Sequence, residues 1–146
     1  IYGMLTLGLA MKTSGASNLV AEALAGGVLI HAPESWRLFF LLASLYLTTT
    51  VLTEILSNNA TIVLMAPISL ELAHKLELTM HDARAFLLAT CIAASASFTT
   101  PIGYQTNTLV YTAGNYRFAD FARMGVPMNL ITWLTASALI PLFWPL

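Results

Sequence analysis

Long hydrophobic stretches separated by short polar joints dominate this 146-residue chain. Formally charged residues are absent from positions 38–53, 55–70, 85–116 and 124–146. A helix rises about 1.5 Å per residue, and the hydrocarbon core of a bilayer is about 30 Å thick. The run at 124–146 therefore has the length of one membrane-spanning helix.

Two stretches are too long for a single crossing, and each carries a polar interruption near its middle. As straight helices, residues 38–70 would measure about 50 Å and residues 85–116 about 48 Å. The first contains Ser, Asn and Thr residues within 53–61, and these residue types compete with backbone hydrogen bonding. The second contains Pro101, which lacks a backbone donor, and Gly103, which permits unusual backbone angles. Both stretches are therefore predicted to be broken.

The pattern predicts an all-α integral membrane chain that contains a re-entrant hairpin and a broken helix. The hairpin is expected to turn near residues 57–59, where the polar residues cluster. We expect a helix over residues 1–27, a helix plus re-entrant hairpin over 37–73, a broken helix over 84–114 and a last helix over 124–146.

Composition excludes a soluble domain. Hydrophobic residues make up 58% of the chain and charged residues 9%, with a mean hydropathy of +0.76. Soluble domains carry about 25% charged residues, so this chain lacks the polar surface they need. The net charge of −1 offers no basic stripe, so no nucleic-acid partner is expected. Because the chain begins at Ile1 without an initiator Met, we expect a C-terminal piece of a longer polypeptide.

The two breaks indicate a secondary transporter, because such proteins build their sites from discontinuous helices near the bilayer midplane. Free N–H groups at helix N-termini suit an anion, whereas unwound carbonyl, hydroxyl and amide oxygens suit Na⁺. Neither break has a Lys or Arg nearby in sequence, which favours sodium as the balancing charge. The alternative is that the polar residues only pack helices together.

Catalysis is not expected, because the uncharged runs contain no His or Asp and Glu54 stands alone. Glu54 is functional by default inside a membrane segment, or else a buried acid that orients the backbone of residues 57–59. The three histidines lie in polar joints without metal-ligand spacing. They are His31, His74 and His81. A channel remains an alternative, since polar breaks also line pores.

The break sequences resemble those of a known family. Residues 53–61, TEILSNNAT, are similar to the Ser-Asn-Thr hairpin motif of the divalent anion:sodium symporter family, which groups with citrate-transporter-like permeases of the ion transporter superfamily. Residues 99–107, TTPIGYQTN, resemble the unwound segment of the broken helix that follows. The continuation over residues 111–121 is most similar to bacterial permeases that carry TrkA-C domains.

This resemblance implies an elevator-type, sodium-coupled symporter built from two inverted repeats, of which this chain is the C-terminal one. It implies a multi-pass protein of the inner (plasma) membrane, surrounded by lipid and forming homodimers. The missing N-terminal repeat would complete the substrate site, and Na⁺ would be co-transported with a small divalent anion.

The resemblance also assigns site residues by position. For sodium it implies Thr53, the carbonyl of Leu56, Ser57, Asn58 and Thr99. For half of the substrate site it implies Asn58, Asn59, Thr100 and Pro101.

Two departures from the family pattern leave the substrate open. Asn59 stands where the family usually has Thr, and six residues rather than two lead from Pro101 to Asn107. Both changes touch the anion pocket, so sulfate and C4-dicarboxylates both remain candidates. An arsenite-type carrier or a sodium/proton antiporter of the same superfamily is the alternative function.

Overall fold

The computed structural model describes residues 2–29 and 32–144. The described residues leave out part of the polar joint predicted between residues 27 and 37, including His31. They also leave out the outer ends of the predicted first and last helices. Within the described ranges the chain is helical and has no strand, which confirms the all-α prediction.

Seven α-helices follow one another along the described chain, with one 3₁₀ turn at Glu34–Trp36 before the third. The first four are α1 (Tyr2–Thr13), α2 (Ala16–Leu29), α3 (Arg37–Thr53) and α4 (Asn58–Lys75). The remaining three are α5 (Met80–Ser95), α6 (Gln105–Ala113) and α7 (Phe118–Phe143).

The stretch expected as one helix over 1–27 is instead two helices. Gly15 has φ +76°, a left-handed conformation that glycine adopts without steric cost, and it separates α1 from α2. The hydroxyl of Thr13 donates to the carbonyl of Leu9 at 3.0 Å, and that of Ser14 to Met11 at 3.3 Å. These hydroxyl groups bond to backbone carbonyls of the last turn where the regular helix ends.

Two helices begin earlier than expected, because charged residues assigned to joints lie in their first turns. Helix α5 begins at Met80, where the sequence pattern places the start at 84, and Asp82 accepts from the backbone N–H of Thr79 at 3.2 Å. Helix α7 begins at Phe118 rather than 124, and Asp120 accepts from the N–H of Arg117 at 2.8 Å. Acidic side chains at these positions satisfy helix N–H groups and favour the positive end of the helix dipole.

Helix α5 lies at the centre and packs against α3, α4 and α7. One stripe of its inner face is built from small residues, since Ala85, Ala89 and Ala93 are fully buried at four-residue spacing. Small side chains let membrane helices approach closely. This arrangement brings the end of α5 between the α3–α4 pair and α7.

By length and composition, one helix of the described chain is a candidate membrane span, the 26-residue α7. Helix α3 is apolar but shorter, with 17 residues. These features agree with a membrane protein whose other long runs are interrupted.

Candidate functional site

Both predicted breaks are present, and they lie against each other. Residues 54–57, here called the hairpin turn, connect α3 to α4. Residues 96–104, here called the unwound segment, connect α5 to α6. Non-helical backbone needs polar partners in a membrane, and each break supplies partners for the other.

Three hydrogen bonds tie the end of α3 and the hairpin turn to the last turn of α5 and the unwound segment. The hydroxyl of Thr53 donates to the carbonyl of Ala94 at 2.7 Å. The hydroxyl of Ser97 donates to the carbonyl of Thr53 at 3.2 Å, and that of Thr100 to the carbonyl of Glu54 at 2.7 Å. Residues more than 40 positions apart thus satisfy each other's exposed backbone groups.

The Glu54 carboxylate accepts three successive backbone N–H groups of the unwound segment. Phe98 and Thr99 donate to Oε1 at 3.0 and 2.8 Å, and Thr100 donates to Oε2 at 2.8 Å. Consecutive N–H groups aimed at one point form an anion-binding concavity, often called a nest. Of the two interpretations offered for Glu54, the one in which its side chain orients residues 57–59 is not what the structure shows, because the carboxylate binds the second break.

Helix α7 joins this cluster through Asn129. Its amide nitrogen donates to Glu54 Oε1 at 2.6 Å and to the hydroxyl oxygen of Thr99 at 2.8 Å. One turn earlier, a Cβ on Gly125 would lie 2.2 Å from the carbonyl oxygen of Phe98. Only glycine lets α7 come this close to the unwound backbone.

The far side of the unwound segment is held by α6. The amide of Asn107 donates to the carbonyls of Ser97 at 2.8 Å and Thr100 at 3.2 Å. The hydroxyl of Thr108 donates to the carbonyl of Pro101 at 2.7 Å. Three carbonyls of the segment, those of Ser97, Thr100 and Pro101, are therefore bonded by side chains of α6.

A polar cavity of about 470 Å³ lies where the hairpin turn meets the start of α6. The N-termini of α4 and α6 both border it. Among the described residues, its walls combine hydroxyl, amide and apolar side chains and contain no Lys or Arg. They are Ser57, Asn58, Asn59, Ile62, Ser95, Ile102, Gly103, Tyr104, Gln105 and Thr108.

The residues predicted for sodium fall into two groups. Thr53 is fully buried at the end of α3, and its hydroxyl oxygen lies 2.9 Å from the amide oxygen of Asn58. Ser57 caps α4, accepting from the N–H of Ala60 at 3.3 Å. Leu56 lies in the turn beside them.

Thr99, the fifth residue of the predicted sodium set, faces α7 instead. Its hydroxyl oxygen accepts from Asn129, and within the described residues no hydrogen bond joins it to Asn58. The structure therefore brings the hairpin residues together and puts Thr99 beside Glu54.

The residues predicted for the substrate are divided in a similar way. Asn58 and Asn59 line the polar cavity. Thr100 is engaged with Glu54 through both its N–H and its hydroxyl, and Pro101 is buried with its carbonyl bonded to Thr108.

Sequence reasoning missed Asn129 and Gly125 as parts of this region, and it placed Ser97 and Asn107 in the second break without giving either a hydrogen-bond partner. Asn129 carries the single amide side chain in the run 124–146, and a polar group in an apolar membrane helix is a usable signal. Its partner, 75 residues earlier, leaves no trace in local sequence.

Comparison with known proteins gives a consistent set of relatives. The sequence profile of the citrate transporter family (CitMHS) matches residues 1–145. The uncharacterized transporter sll0640 of Synechocystis is 46% identical over 99% of this chain and 22% of its own length. The uncharacterized transporter YfbS of Escherichia coli is 34% identical over 99% of the chain and 22% of its own length.

A third relative carries a more specific name. Sodium/sulfate cotransporter 1 of Chlamydomonas reinhardtii is 39% identical over 66% of this chain and 10% of its own length. The chain spans about a fifth of the length of the first two relatives.

Proposed function

The chain belongs to the citrate transporter family, and from this premise we propose that it forms the C-terminal repeat of a sodium-coupled symporter for a small divalent anion. The observation that carries the proposal is the contact of the end of α3 and the hairpin turn with the unwound segment, which sets hydroxyl, amide and carbonyl oxygens beside a polar cavity. Discontinuous helices that meet in this way are the usual site of secondary transporters.

A divalent anion, either sulfate or a C4-dicarboxylate, is the proposed substrate. The name of the Chlamydomonas relative supports sulfate, and sodium as its companion. No Lys or Arg among the described residues lines the cavity, so the charge of a bound anion would be balanced by helix N-termini and co-bound Na⁺. The chemistry of the walls, amide and hydroxyl groups beside apolar ones, suits an anion bound by neutral donors.

The proposed sodium site centres on the Thr53–Asn58 contact and includes Leu56 and Ser57. Thr99 faces α7 in this structure, so its place in the sodium set rests on the family resemblance alone. The proposed substrate site uses Asn58 and Asn59 directly. Thr100 and Pro101 would contribute by fixing the cavity floor, since their polar backbone groups are already bonded.

For the whole protein we propose a multi-pass transporter of the plasma membrane that works as an elevator-type homodimer. The α3–α4 pair would be a re-entrant hairpin, and an inverted N-terminal repeat would supply the second half of the site. The small share of its relatives that this chain spans supports a larger assembly.

The direct test is uptake by the full-length parent protein in proteoliposomes. Labelled sulfate and labelled succinate are each offered with an inward sodium gradient, and with potassium in its place. We expect sodium-driven accumulation of one label against its gradient. No accumulation of either anion by correctly folded protein would favour an arsenite-type carrier or a sodium/proton antiporter, and sodium-independent equilibration would indicate a channel.

A further inference from the structure

We propose that Glu54 is a positioning residue of the transport site, acting as a built-in anion that fixes the unwound segment and thereby the geometry of the cation site. The inference deepens the proposed function and rests on it, because the cation site is the one proposed around Thr53 and Asn58. Its own basis is the set of contacts around the Glu54 carboxylate.

Four donors converge on this one carboxylate. Three are the consecutive N–H groups of residues 98–100, and the fourth is the amide of Asn129. Glu54 is only 9% exposed, and among the described residues no Lys or Arg forms an ion pair with it. The three backbone N–H groups and the amide of Asn129 therefore stabilise the charge of the carboxylate. The charge in turn fixes the positions of these four donors.

The surroundings strengthen these bonds. An apolar cavity of about 360 Å³ lies on one side of Glu54 and Asn129, walled by residues of α3 and α7 that include Val51, Val126 and Leu130. Hydrogen bonds to a charge are stronger in a low-dielectric setting than in water, and they cost more to leave unmade. Loss of the carboxylate would leave three partly buried N–H groups without this acceptor.

The same residue reaches the proposed cation site through the backbone. Glu54 directly follows Thr53, and its own carbonyl accepts from the hydroxyl of Thr100. The carbonyl of Thr53 accepts from Ser97. The four hydrogen bonds to the Glu54 carboxylate, here called the clamp, therefore act on the same region of the chain as these bonds to the backbone carbonyls of Thr53 and Glu54. Movement of the unwound segment would therefore displace Thr53 and the amide of Asn58 beside it.

The clamp has a consequence for substrate binding. A nest of three N–H groups would otherwise attract any small anion, including the substrate. With Glu54 seated in it, the anion is left to the Asn58 and Asn59 side of the turn, where the polar cavity lies. Glu54 thus separates the place where the protein's own charge is bound from the place where the substrate binds.

The first experiment measures backbone hydrogen exchange in the purified full-length protein. Glu54→Gln keeps the shape but puts an NH₂ group against one backbone donor. We expect peptides covering residues 96–104 to exchange at least about tenfold faster in this variant, with α5 unchanged. Glu71→Gln, about four helical turns further along α4, is the matched control and should leave exchange as in the wild type. Unchanged protection of 96–104 in Glu54→Gln would overturn the clamp.

The second experiment separates positioning from mere structural support. Sodium dependence of uptake is measured for the wild type, Glu54→Gln and Asn129→Ala, which removes one of the four donors. We expect the sodium concentration for half-maximal uptake to rise about tenfold in Glu54→Gln and less in Asn129→Ala, with the rate at saturating sodium largely kept.

The outcomes of the two experiments are distinguishable. If Glu54→Gln does not fold, the sodium dependence of uptake by Asn129→Ala tests the positioning role, because this variant retains the carboxylate and loses one of its donors. A lowered maximal rate with an unshifted sodium dependence would show a structural role alone and overturn the positioning role. If wild-type uptake ignores sodium, the proposed function fails, and the exchange experiment still decides whether Glu54 clamps the segment.

Discussion

The side-chain amide of Asn129, in the middle of the last helix, lies 2.6 Å from the carboxylate of Glu54, the residue that follows the end of α3. The same amide nitrogen lies 2.8 Å from the hydroxyl oxygen of Thr99. One side chain of α7 therefore contacts both breaks, and the candidate site includes α7 in addition to the four helices that flank the breaks.

Replacing Asn58 with Ala is expected to abolish sodium-driven uptake while membrane insertion stays normal. The side chain borders the cavity, and its amide oxygen lies 2.9 Å from the hydroxyl of Thr53. Uptake of labelled sulfate and succinate in proteoliposomes is the measurement. Asn18→Ala, in α2 and away from both breaks, is the matched control. Normal uptake by Asn58→Ala would refute the site assignment.

Gly125→Ala is expected to destabilise the protein by about 1–3 kcal/mol or more, the usual cost of overpacking. Its Cβ would lie 2.2 Å from the carbonyl oxygen of Phe98 and would push α7 away from the unwound segment. Thermal unfolding of the purified protein measures the change. Gly26→Ala in α2, where a Cβ meets nothing within 4 Å, should be neutral or slightly stabilising. Equal behaviour of the two variants would contradict the close packing described here.

Thr53→Val is expected to lower the free energy of unfolding by about 1–2 kcal/mol and to raise the sodium concentration needed for half-maximal uptake. The change removes the hydroxyl that donates to the buried carbonyl of Ala94, leaving that acceptor unpaired. Thr48→Val is the control in the same helix, because the hydroxyl of Thr48 bonds only within α3, to the carbonyl of Ser44 at 2.9 Å. Unfolding and sodium titration are measured for both. An identical effect of both changes would argue against a special role for Thr53.

Asn59→Thr, which restores the usual residue of the family at that position, is expected to shift preference from sulfate toward succinate. Asn59 is exposed at the cavity wall, so a change of its size and donors alters what fits there. A shift in relative uptake of about tenfold is the expected scale for one contact in a binding pocket. Competition between the two labelled anions measures it, with Asn59→Ala separating loss of the amide from gain of the hydroxyl. An unchanged ratio in both variants would remove Asn59 from the substrate site.

Local sequence was enough to predict the two breaks, because residue type and run length alone exclude a straight helix through them. The residues at which helices begin and end were harder to predict. Asp82 and Asp120 looked like joint residues, yet each caps the first turn of a helix, and Gly15 divides a stretch that hydropathy joins into one.

The local sequence pattern does not predict which side chains and backbone groups come into contact when they are far apart in the chain. The hairpin turn was a sound place to look for polar contacts, but the target of Glu54 lies 44 to 46 residues further along the chain. Such a contact depends on how α5 and α7 pack, and no periodicity encodes it. Asn129 was visible as a lone amide in an apolar run, but its role follows only from its position beside Glu54.

The bonds from Ser97 to the carbonyl of Thr53 and from Thr100 to the carbonyl of Glu54 have a mechanical consequence. They couple the two breaks, so we expect a displacement of one to move the other with it. If the protein works as the proposed elevator, a fluorescent reporter at Asn59 and a second one at Ile102 are expected to keep a nearly constant distance through the transport cycle.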